Sequence, residues 1–189
     1  MKKLTCLTTA SLLMAAWLSG CGDTERYRAE EQFGGIKKNL MASVKELTSV
    51  PAKVELSDQP SIKGKVAVFM RKQLKSGPVN GGAYYMDIFY FRGLEEIYAS
   101  KPEEVGTIAL VDCKMTDKGI YRTEDGREFP AEVEDCELTM IDRSKAAIVF
   151  KKMFEKTPDA ERKSYTGNSV LHQSTNLEIL PFLKDLPRT

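Results

Sequence analysis

Two stretches, GTIALVDCKM (106–115) and VEDCELTMID (133–142), each read as a β-strand and each carry one cysteine. Their positions constrain the fold more than any other feature. Cys113 shares strand parity with Ala109 and Val111, and Cys136 with Leu138 and Met140, so both thiols point to the expected core face. Between the strands lie two turn signals, Asp117-Lys118-Gly119 and Glu124-Asp125-Gly126. A hairpin turning at Glu124-Asp125 pairs residues whose numbers sum to 249, which sets Cys113 opposite Cys136. A two-residue turn at Asp125-Gly126 moves the register by two and needs a bulge to reunite them. Directly opposed residues have Cβ atoms about 4.5–5.5 Å apart, near disulfide reach. A structural Cys113–Cys136 disulfide is therefore expected. Two buried free thiols are the main alternative. A metal pair or a catalytic thiol fits poorly, because the 22 intervening residues make no CxxC turn and His172 is the single histidine.

The remaining pattern predicts an α+β domain. Ile36, Leu40, Val44 and Leu47 form one face of an amphipathic helix that packs on the domain and ends at Ser49-Val50-Pro51. Residues 51–64 read as loop, KVAVFM (65–70) as a first strand and the aromatic AYYMDIFYF (83–91) as a second. Ser100-Lys101-Pro102-Glu103 suggests an N-cap with an early proline, within a short helix or two turns over 94–105. After the hairpin, Asp142-Arg143-Ser144-Lys145 makes a tight turn into a fifth strand, AAIVFKKMF (146–154). Residues 158–168 read as polar loop. A last helix, capped by Ser174 or Thr175, turns Ile179, Phe182, Leu183 and Leu186 inward around Pro181. The expected architecture is a mostly antiparallel sheet of about five strands with flanking helices, in two layers.

The N-terminus carries a different signal. Lys2 and Lys3 precede an uncharged, apolar run that ends at Leu18-Ser19-Gly20-Cys21. The run is shorter than the ~20 residues of a spanning helix. Leu18-Ser19-Gly20-Cys21 at this position resembles the lipobox of bacterial lipoproteins. The resemblance implies a signal peptide over 1–20, cleaved and taking Cys6 with it. It also implies a diacylglyceryl and fatty-acyl (palmitate) anchor on Cys21, a tether over 21–35 and a single globular domain over 36–189. Each buried CH₂ adds about 0.8 kcal/mol, so several acyl chains hold a folded domain on a membrane. Gly22 and Asp23 after the cysteine resemble outer-membrane sorting in enteric bacteria, and so imply a periplasmic, cell-envelope setting. The segment Pro102-Glu103-Glu104-Val105-Gly106-Thr107, the strand end Thr139-Met140-Ile141-Asp142 and the terminal Leu186-Pro187-Arg188 resemble secreted or lipid-anchored bacterial proteins. That resemblance implies no activity.

Charge narrows the partners. Without Lys2 and Lys3, 26 Lys+Arg face 27 Asp+Glu. Such balance leaves no basic excess for nucleic acid. No chemistry-bearing set emerges either. His172 has Ser169 and Ser174 nearby but no G-x-S-x-G elbow. No ligand spacing calls for a metal, and no phosphate loop or cofactor motif is present. Glu132, Glu134, Asp135 and Glu137 cluster, but alternation puts Asp135 and Glu137 on a solvated sheet face, within reach of Lys151-Lys152 on the next strand. The aromatics Tyr84, Tyr85, Phe89 and Tyr90 are the candidate ligand-facing residues. The preferred reading is a membrane-anchored, non-enzymatic lipoprotein that binds an envelope protein or polymer. An envelope hydrolase using a carboxylate or His172, and a passive structural lipoprotein, are the alternatives.

Overall fold

The computed structural model describes residues 28, 30–122, 126–155, 171–174 and 176–189. Cys21, the lipobox, Ser169 and the 158–168 segment lie outside them. The described chain is α+β: helix α1 (30–42), α2 (Val44–Leu47), strands β1 (Lys53–Val54), β2 (Lys65–Leu74) and β3 (Gly77–Pro78), helix α3 (Ile88–Leu94), strands β4 (Val105–Arg122), β5 (Glu128–Asp142), β6 (Ala147–Phe154) and β7 (Leu171–Ser174), and helix α4 (Asn176–Asp185).

The strands form one sheet in the order β1-β6-β5-β4-β2-β3, with β7 beside β5. The sheet is mixed, which corrects the mostly antiparallel expectation. β4/β5, β5/β6 and β2/β3 are antiparallel, whereas β2/β4, β1/β6 and β5/β7 are parallel. The correction has a definite origin. The segment 83–91 is not a strand lying between β2 and β4. It touches the β2 edge through one antiparallel bridge, Met70 with Tyr85, and then turns into α3. Asp87 caps that helix by accepting from the Phe89 amide at 2.9 Å, and Tyr90, Phe91 and Leu94 bury one side of it. The cap and the 3.6-residue spacing override the strand preference of aromatic side chains. With 83–104 forming an excursion at the edge, β4 enters beside β2 and parallel to it. Residues 53–57 also pair rather than loop. β1 lies against β6, and the Glu55 and Ser57 amides donate to Ile148 and Val149 carbonyls.

The hairpin register agrees with a pairing sum of 249. Cys113 faces Cys136 in a disulfide, and the same sum holds from Thr107–Asp142 to Asp117–Glu132. Beyond Asp117 the register shifts by one at a bulge containing Gly119, whose φ of 117° suits glycine. Val66 to Met70 are all buried, as are Ala109 to Val111 and Leu138 to Ile141. Successive strand residues face opposite sides. The sheet is therefore covered on both faces there, which replaces a two-layer arrangement with one open face. α4 lies on the face that carries Phe150 and Phe154, where Phe182 stacks on the first at 5.4 Å and meets the second edge-on at 5.6 Å. α1 begins upstream of Ile36. Phe33, Ile36 and Leu40 are buried, and Phe33 meets Phe91 of α3 at 5.6 Å. The C-terminus closes on the start of the sheet, where Ile62 and Thr189 exchange backbone bonds with Pro187 and Ile62.

Two close approaches test this packing. A Cβ on Gly106 would sit 2.3 Å from the Lys63 carbonyl oxygen, whereas one on Gly93 would meet the flexible end of Leu180 at 2.4 Å. Gly106→Ala is expected to cost about 1–3 kcal/mol, as overpacking does, and Gly93→Ala less, in urea titration. A second test uses pH. The Ser100 amide and hydroxyl each donate to Glu104 at 2.9 Å, so Glu104 rather than Glu103 completes the turn at Pro102. These bonds, helped by Lys65, lower the Glu104 carboxyl from 4.5 to about 2. A depressed folded value stabilises the fold above the unfolded one. This contribution is therefore complete above 4.5 and disappears as pH falls towards 2. Glu104→Gln is expected to flatten that part of the acid-unfolding profile, with the two proteins converging near the acid end.

Candidate functional site

The parallel placement of β2 against β4 brings two charged rungs together on one face of the sheet. Register aligns Arg71, Asp112, Glu137 and Met153 across β2, β4, β5 and β6, and Gln73, Lys114 and Asp135 across the first three. These residues line a cleft of about 600 Å³, bounded on one side by Pro78 and Gly82 of the turn after β2.

The charges are organised in pairs. Arg71 Nε meets Asp112 Oδ1 at 2.5 Å, and its guanidinium lies over the Tyr84 ring at 4.8 Å. Tyr84 donates its hydroxyl to the other Asp112 oxygen at 2.8 Å. Burial, and then this bond to Asp112, push the phenol well above its ordinary value. Glu137 accepts from Thr139 at 3.3 Å and meets Lys151 at 3.5 Å. Asp135 is buried, not solvated as its parity with Glu137 suggested, and pairs with Lys118 at 2.9 Å. Lys118 reaches it from the bulge of the hairpin arm. The outcome is a surface on which paired charges of both signs lie side by side.

The opposite face repeats the logic in a drier setting. Lys72, Cys113, Cys136 and Phe154 form the rung between the two charged ones. The buried Glu134 carboxylate is held by the Lys72 ammonium. Farther along the arm, Lys75 bridges Asp117 and, at 2.6 Å, Glu132.

Of the four aromatics selected from sequence, Tyr84 contacts the cleft-lining Asp112 and Arg71. Tyr90 is fully buried and meets Phe89 edge-on at 5.5 Å, so its ring belongs to the core rather than to a ligand platform. Tyr85 and Phe89 are half-buried and pack against the same core. His172 stands in β7 in register with Glu132, and its side chain lies outside the described residues. The residues that sequence reading passed over are Arg71, Asp112, Lys114 and Lys118. The 249 register already places Glu137 opposite Asp112 and Asp135 opposite Lys114. The position of Arg71 depends on a neighbour that local pattern does not reveal.

Cys113, Glu134 and Cys136 also converge, with their ligand atoms within 4.8 Å of one another. The formed disulfide is compatible with an extracytoplasmic protein. No helix among the described residues is long and apolar enough to cross a membrane.

The two faces should respond differently to loss of a cation. Lys72→Met removes the charge that offsets a buried carboxylate and is expected to cost on the order of 3 kcal/mol. Arg71→Met breaks a pair whose members are about a half and a third exposed, and should cost less than about 1 kcal/mol in urea titration. No protein family, curated protein or solved structure matches the chain.

Proposed function

We propose that this protein is a lipid-anchored, extracytoplasmic lipoprotein that acts by binding, with Cys21 as the lipid-bearing residue and the cleft as its contact surface. The observation that carries the binding half of the reading is the pairing of the cleft acids. Asp112, Asp135 and Glu137 each sit 2.5–3.5 Å from a cation. Fixed pairs of opposite charge along one sheet face present a partner with ready-placed donors and acceptors. The anchoring half rests on the Leu18-Ser19-Gly20-Cys21 lipobox and on Gly22-Asp23, which favour the outer membrane of a two-membrane envelope. The disulfide suits that compartment. The partner is an envelope protein or polymer that presents both signs of charge to the Arg71–Asp112 and Lys114–Asp135 rungs.

The second reading, an envelope hydrolase, rests on the β5/β7 register, which sets the His172 backbone beside Glu132. Lys75 already holds Glu132 at 2.6 Å, which argues for a structural acid.

A photo-crosslinking residue at Met153, inside the cleft, compared with one at the exposed Leu177 of α4, tests the binding surface in cells expressing the full lipidated chain. Capture of a specific envelope component from Met153 but not from Leu177 is expected; equal capture from both, or none, overturns the cleft. Cys21→Ser is expected to leave the membrane fraction; retention there overturns the anchor. His172→Ala should preserve any phenotype that the wild-type gene complements, and its loss would move weight to the hydrolase.

A further inference from the structure

The cysteine rung sets the buried Glu134 against the partly exposed Lys72. Cys113, Glu134 and Cys136 are all buried, and one ligand atom from each lies within 4.8 Å of the others. Lys72 holds the Glu134 carboxylate from β2. We propose that reduction of the Cys113–Cys136 disulfide turns this rung into a binding site for one thiophilic divalent cation, zinc being the natural fit, with Cys113, Cys136 and Glu134 as its ligands.

Three features lead to that assignment. The donor set is two sulfurs and one carboxylate oxygen, a combination that borderline-soft zinc accepts at about 2.3 Å from sulfur and 2.0–2.2 Å from oxygen. The Glu134 oxygen already lies within 4.8 Å of both sulfurs, which stand 2.06 Å apart in the disulfide and part once that bond is reduced. The scaffold is also built independently of the sulfur–sulfur bond. The 249 register runs unbroken for six rungs on one side of Cys113–Cys136 and four on the other. The Cα atoms, 4.1 Å apart, are thus held in chelating position by backbone pairing after the bond opens. Finally, the charges close. A divalent ion with two thiolates and one carboxylate carries one net negative charge, and the Lys72 ammonium cancels it. In the oxidised form Glu134 and Lys72 cancel each other. Neither state leaves a net charge on the buried Cys113, Glu134 and Cys136 with Lys72 beside them.

The chemistry balances with a dithiol reductant. Its two thiols pass two electrons and two protons to the Sγ atoms of Cys113 and Cys136, and it leaves as its own disulfide. The cation then displaces both thiol protons to solvent and accepts an electron pair from each sulfur and from Glu134.

The test uses the full-length chain in detergent with Cys6→Ser and Cys21→Ser, so that Cys113 and Cys136 are the remaining cysteines. Protein reduced with a phosphine under anaerobic conditions and freed of metal is titrated with cobalt(II). One equivalent should bind with a thiolate-to-cobalt charge-transfer band, and zinc should displace it. Oxidised protein should show no band. Glu134→Gln should weaken binding at least tenfold. A variant-free readout accompanies these: zinc should raise the Tm of the reduced chain, since a ligand selective for the folded state stabilises it. Absence of the band, an unchanged Tm, or equal affinity in a folded Glu134→Gln protein would each overturn the site. The last result would mean that the two thiols bind as any flexible pair does.

Discussion

The antiparallel pairing of β4 with β5 is the interaction on which the rest of the structure depends. It is the longest ladder in the sheet, running from Thr107–Asp142 to Arg122–Glu128. β2 joins on one side of it, and β6 and β7 join on the other. The disulfide sits within this ladder and links strands already in register. Its entropic effect is therefore exerted mainly on the unfolded chain, where it closes a loop of about two dozen residues. The folded state needs little from it, because the backbone bonds on either side fix the same geometry.

That ladder also separates two chemical environments across a single sheet. Adjacent residues of β5 face opposite ways, so Glu134 and Asp135 are neighbours in sequence but not in surroundings. Glu134 is buried beside sulfur and Lys72, whereas Asp135 opens toward the cleft and Lys118. A run of acids that reads as one cluster becomes two sites with different partners. Each partner cation comes from a different part of the chain: Lys72 from β2, Lys118 from the bulge and Lys151 from β6. Tertiary packing therefore sets the character of every acid in the run. Each pairing fixes where its carboxylate lies on the sheet.

The far half of the sheet does the mechanical work. Val66 to Met70 bury both faces, and residues near Phe33, Phe91, Ile179 and Leu183 complete the covering core. Asp142 anchors the β5–β6 turn by accepting from the Ser144 amide and hydroxyl and from the Lys145 amide, while Lys63 meets its other oxygen at 2.7 Å. Arg143 from the same turn reaches Glu46 of α2 at 2.8 Å and the Pro102 carbonyl. One turn thus ties the helical N-terminal segment, the edge excursion and the sheet together. The charged half is left free to face outward from a firm base.

Local chemistry in the sequence determined several features. Strand parity put Cys113 and Cys136 on one face, one of two open turn registers opposed them and implied the rungs Asp112–Glu137 and Lys114–Asp135, and local pattern marked β2, β4, β5, β6 and α4. Period and turn position are short-range properties, so they are legible without a structure. Only the tertiary structure decided the rest. It drew β2 beside β4 in parallel, because the 83–104 segment leaves the sheet edge as a capped helix. That single rearrangement put Arg71 against Asp112 and Lys72 against Glu134, and carried Tyr90 into the core while leaving Tyr84 at the cleft. Partners drawn from 40 to 60 residues away carry no local period, so they emerge only when the chain closes on itself.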